Sequence, residues 1–231
     1  MLRWNAVLLL LFFSLSGLRA GEPLFVPHGA GSMGMAFAVT ATPGHWNCFH
    51  NQALLTAVPA SGFSFGLENR FMVQALSSKA FSAVFALKPA PLGLVVTHYG
   101  NADYYRLFTG AGSAVRIAEA VALGVQVDYI SEHGAGEYRD VSHVTFETGM
   151  TCLLSPTLTA GVHIFNPLAP LNTLPSSIEA GLNWMQSDGL FLTLTGSKTS
   201  NEPLSVQCGV SWDVMQRLTL RTGYMSSPSA F

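Results

Sequence analysis

Four groups of residues have the types or spacings that chemistry needs. Gly29, Gly31 and Gly34 spell G-x-G-x-x-G, the spacing with which a backbone approaches a pyrophosphate. A dinucleotide site also needs a buried strand before the glycines, a helix after them and an acid about 20 positions on. Residues 52–56 contain no acid, so the glycines read instead as positions of close packing or tight turning. Ser32, in Ala30-Gly31-Ser32-Met33-Gly34, misses the G-x-S-x-G nucleophile elbow by its first glycine and lacks the α/β framework around it. His45, Cys48 and His50 are soft and borderline metal donors, but a closed zinc site takes four ligands and no fourth lies nearby. They read as a hydrogen-bonded loop anchored by Trp46 and Phe49. Asp128, Glu147, Glu179 and Arg221 fall on the polar faces of alternating segments. Buried charges require partners, so these four read as internal ion pairs or as the lining of a polar path. No catalytic constellation emerges, and neither an enzymatic activity nor a cofactor is expected.

The elements that position these residues are strands. Residues 204–213 alternate Leu, Val, Cys, Val and Trp on one face with Ser, Gln, Gly, Ser and Asp on the other. Residues 121–129, 158–164 and 178–184 alternate in the same way. Turn signals separate them: Lys88-Pro89-Ala90-Pro91, Gly100-Asn101-Ala102-Asp103, Gln186-Ser187-Asp188-Gly189, and longer loops over residues 131–136 and 197–203. The pattern predicts about eleven antiparallel strands of 9–11 residues, the length of a tilted membrane strand. Residues 71–79 are expected to include a helical turn at the rim. The apolar faces end in Tyr99, Tyr129, Trp184, Trp212 and Tyr224, placed as interfacial girdles would be.

Composition favours the membrane over water. Only 10% of residues are charged, against about 25% in ordinary soluble domains. No segment after residue 20 is long and apolar enough for a membrane helix, whereas a barrel scatters its lipid-facing residues one in two. Residues 1–20 have the order of a secretory signal peptide: Arg3, an apolar run, then small Ala20 before Gly21. Without Arg3 and Arg19, nine basic residues stand against thirteen acidic ones, a net of −4 with no basic stretch and no sign of a nucleic-acid partner. Three cysteines define no disulfide framework. Cys152 and Cys208 read as small apolar fillers within strands.

Several blocks resemble the FadL superfamily of outer-membrane barrels, in its PorV/PorQ group. Gly29 to Met35 with Ala36 is similar to the group's opening G-A-R-S-x-G-M-G-x-A, with Gly31 in place of Arg and one glycine missing after Met35. Trp46 followed by Asn51-Gln52-Ala53-Leu54-Leu55 resembles an aromatic followed by N-Q/P-A-G-L. Phe165-Asn166-Pro167 resembles the F-N-P that closes a central strand. Residues 218–224, with Arg221 and Gly223, resemble an L-x-L-R-x-G-Y strand near the carboxy end. Ser32, Gly34 and Met35 complete the motif positions.

The resemblance implies an all-β, antiparallel transmembrane β-barrel of about 14 strands in the outer membrane of a Bacteroidota-type bacterium. On that pattern residues 1–20 are the signal peptide, 21–60 a lead-in that packs in or under the barrel, and 61–231 the barrel. About eleven strands are present, so the expectation is a carboxy-terminally shortened or gapped barrel. The implied role is in type IX secretion or surface-protein handling. The alternatives are a FadL-like channel for hydrophobic small molecules and a structural barrel without transport. Implied partners are outer-membrane lipid, the barrel-assembly machinery, and secreted cargo or other secretion components.

Overall fold

The computed structural model describes residues 29–69, 72–135, 140–169, 174–200 and 202–226. The expected signal peptide and the last five residues lie outside the described residues. Among the described residues, eleven strands form one sheet: β1 (Gly62–Asn69), β2 (Ser77–Phe85), β3 (Leu92–Gly100), β4 (Tyr104–Arg116), β5 (Val121–Gly134), β6 (Val141–Ser155), β7 (Leu158–Phe165), β8 (Ser177–Ser187), β9 (Leu190–Thr199), β10 (Ser205–Met215) and β11 (Leu218–Met225). Each pairs antiparallel with the next in sequence order. β1 and β11 are the two edges, and among the described residues they do not pair with each other. A short 3-10 turn, Gln74–Leu76, precedes β2 at the rim.

Alternation drives every strand, and it is inverted relative to a water-soluble protein. In β5, Leu123, Val125, Val127 and Tyr129 are exposed, while Gln126 and Asp128 are buried at 1% and 0%. In β6, Val144 and Met150 are exposed, while Thr145, Glu147 and Thr151 are buried. Phe63, Phe65 and Leu67 of β1, and Leu182 and Trp184 of β8, continue the apolar outer face. Monomers in water seldom expose contiguous apolar patches beyond about 300–600 Å². A continuous apolar exterior around a polar interior is the transmembrane β-barrel pattern. The fold class is therefore an all-β antiparallel barrel of the transmembrane kind.

Three expectations need correction. Residues 131–134 are strand rather than loop: β5 runs through Gly134, paired with Tyr104. Ser131 and His133 carry no strong apolar signal, so polarity alone read as a loop. Tyr99 sits on the inner face, opposite buried Ser78, because its face is set by Val95 and Thr97. Tyr129, Trp184, Trp212 and Tyr224 do lie on the exposed face. β4, β5 and β6 have 13, 14 and 15 residues, longer than the expected 9–11. At about 3.3 Å per residue, this part of the wall stands higher than a bilayer core of about 30 Å even when tilted.

Candidate functional site

Residues 29–58 run along the inner face of the sheet. They form the short helix α1 (Ala30–Gly34), a 3-10 turn at Asn47–Phe49 and another at Gln52–Ala57. Close approach of two backbones requires glycine on the wall. A Cβ at Gly124 of β5 would stand 2.4 Å from Ala53 N, and one at Gly223 of β11 would stand 2.3 Å from the Met35 carbonyl carbon.

The motif residues spread around this interior. Gly31 and Gly34 face the Arg221 side chain, and Gly29 faces the Trp46 ring. Ser32 Oγ and His50 Nε2 are 2.9 Å apart. Asn51 caps the second 3-10 turn by accepting from Ala53 N, and its amide donates to Thr40 O at 2.8 Å and Met150 O at 3.3 Å. Trp46 meets the wall at Gly66 and contacts Phe49, with ring centroids 5.7 Å apart. Asn166 adopts φ 48°, a left-handed conformation that asparagine tolerates better than most residues. Its buried amide donates to Leu174 O, and its oxygen accepts from Thr145 Oγ1 at 2.7 Å. Phe165 is buried in the inner apolar cluster, whereas Pro167 is exposed beyond the strand end.

His45, Cys48 and His50 turn to three different neighbours. The His45 carbonyl accepts from Ser82 Oγ, Cys48 packs over Gly93, and His50 meets Ser32. Burial pushes the Cys48 thiol up to about 12, with Glu147 and Asp128 adding to the effect. The expected ion pairing takes another form. Glu147 Oε2 meets His163 Nε2 at 2.9 Å and accepts from the Gln52 amide, while Arg221 lies over α1. Glu179 accepts from Thr40 Oγ1 at 2.8 Å. An Arg106–Glu132 pair at 2.6 Å closes β4 on β5 instead. Gln126 belongs to the polar face of the 121–129 alternation, but no spacing singles it out from the other polar positions. Its amide joins Asp128 Oδ1 at 2.8 Å to the Cys48 carbonyl at 3.0 Å, and only the strand register reveals that it stands opposite Glu147.

The interior is thus filled at this level and divided into two zones. A polar zone holds Gln52, Gln126, Asp128, Glu147 and His163. Beside it, an apolar zone gathers Phe49, Leu55, Val95, Phe108, Ile130 and Phe165. Phe49 and Phe108 have ring centroids 6.1 Å apart.

Fold and interior together define a class: a transmembrane-type β-barrel whose own amino-terminal segment occupies the lumen. No family model matches the chain, and no curated protein matches it. Among solved structures, the chain is similar to the CymD monoaromatic hydrocarbon channel at 16% identity. That likeness covers 89% of this chain and 69% of the other, with a TM-score of 0.47.

Proposed function

We propose that this protein is an exported outer-membrane barrel in which residues 29–58 gate a passage for small apolar molecules. The apolar zone beside the plug carries this reading. Inward-facing Phe108, Ile130 and Phe165 give the wall an oily lining at the edge of the segment that blocks it. A lumen built only to hold water or ions would be polar throughout. The turns after β6, β8 and β10 are two residues each, while the connection after β7 is eleven. Barrels keep short turns on the periplasmic side and long loops outside, which supports the end with the β6–β7, β8–β9 and β10–β11 turns as the periplasmic one. The interior geometry bears on this channel role and not on the secretion role that the sequence resemblance implied. Lipid, and the machinery that inserts barrels, are its expected partners.

The test locks the plug. A Cβ at Gly181 of β8 would lie 3.2 Å from Thr40 Cβ and 2.7 Å from Thr195 Oγ1, so a small shift of the two strands away from the segment brings the pair into the about 3.5–4.5 Å range of a disulfide. Thr40→Cys with Gly181→Cys, in a background without Cys48, Cys152 and Cys208, is reconstituted into vesicles and given a small aromatic solute. Uptake in the reduced form that disappears on oxidation is the expected result. Equal uptake in both forms, or none in either, contradicts it.

A further inference from the structure

We propose that a groove on the outer face of β7, β8 and β9 holds one phospholipid, with an acyl chain along the wall and its ester oxygens at the β6–β7 turn. The groove encloses about 430 Å³, within the range of about 300–1,000 Å³ found for ligand sites. Its body is apolar. Leu158, Trp184 and Leu192 pair across the three strands in one row, and Leu182 and Leu194 pair in the next. All five alternate with the buried inner positions and so stand outside, away from the plug. Small residues extend the groove along the wall. Ala160 lies beside Leu182 and Ala180 beside Gly196. A Cβ at Gly196 would meet only the Ala180 carbonyl oxygen, 4.0 Å away.

One end of the groove is polar. Ser155 and Thr157 line it from the turn between β6 and β7. Their hydroxyl oxygens are 3.4 Å apart, and Ser155 Oγ also accepts from Thr157 N. Only one of the two O–H groups can donate to the other, so one is left for an outside acceptor. No charged side chain lines the groove. The occupant is therefore an amphiphile with a long apolar chain and an uncharged acceptor at its head, as in the glycerol ester region of a phospholipid. A plain hydrocarbon would fill the body but leave the free O–H unmet. Lipid tails are as apolar as leucine, so burial alone gives no preference within a bilayer. Contact gives it: a chain in the groove meets protein atoms on several sides, one on the smooth wall on a single side.

This rests on the outer face lying in lipid and not on a passage through the lumen. The folded chain is floated with phosphatidylcholine vesicles, extracted into mild detergent and weighed intact by native mass spectrometry. One retained phosphatidylcholine per chain is the expected result. Leu192→Trp, which fills the groove, and Gly196→Leu, which closes its extension, should each lower retention severalfold. Ser155→Ala with Thr157→Val should lower it too. Ala111→Leu, which adds bulk to the exposed face of β4, should leave it unchanged. The proposal is overturned by an unsubstituted chain that retains no lipid, by unchanged retention in the groove variants or the hydroxyl variant, or by an equal loss in Ala111→Leu. A chain that does not float with the vesicles contradicts the membrane reading itself, and this proposal with it.

Discussion

Ala36 has φ 51°, in the left-handed region where a Cβ crowds the following carbonyl. The resembled family pattern has a glycine after the methionine, and the backbone supplies its reason. Met35 is pressed against Gly223, so the chain must turn sharply as it leaves α1. Ala36→Gly should therefore stabilise the folded barrel by up to about 1 kcal/mol, because relief of about 1–2 kcal/mol exceeds the about 0.4–1 kcal/mol that glycine's added chain entropy costs. Urea unfolding from lipid vesicles measures it; a destabilised variant would contradict the reading. At this scale the sequence showed which residues mattered better than what they touched. Gln52 and Asn51 stood out within a block. Their partners Glu147, Thr40 and Met150 lie in distant strands or an irregular turn, and no local spacing encodes that contact. Arg221 was legible as an inward residue but not as a lid over α1.

At the scale of elements, period-two alternation was enough to reveal the strands, since each strand has one face in a polar interior and one outside it. It revealed less at the strand ends. β5 continues past Ile130 through Ser131, Glu132 and His133, where the outer side chains turn polar as the wall rises beyond the apolar band. There His98, Tyr105 and His133 stack in series, with centroids 5.5 and 5.0 Å apart. Because the exposed face of mid-strand β5 is taken to meet hydrocarbon, Val127→Arg should cost about 2–4 kcal/mol in folding into vesicles. Glu119→Arg, in the turn before β5, should cost much less. Similar small costs at both positions would mean that the outer face is not in lipid.

For the whole molecule, the decisive feature is that two different environments share one wall. Residues 29–58 meet part of the inner polar face with their own amides, hydroxyls and carbonyls, and cover its apolar zone with Trp46, Phe49 and Leu55. Composition had already excluded an ordinary water-facing surface, and the motif blocks pointed to a lead-in near the barrel. How far that lead-in fills the lumen is a property of eleven strands acting together, set by the register of Gly124, Gly149 and Gly161 against the segment.

The most direct measurement uses tryptophan as a depth and side marker. Single-tryptophan chains bearing only Trp46, Trp184 or Trp212 are folded into vesicles whose acyl chains carry bromine, a contact quencher. With the outer face in lipid and the lead-in inside, Trp184 and Trp212 are quenched strongly and Trp46 is not. Quenching of Trp46 as strong as that of Trp184, or no quenching of Trp184 and Trp212, would contradict a lipid-embedded barrel filled by its own amino-terminal segment.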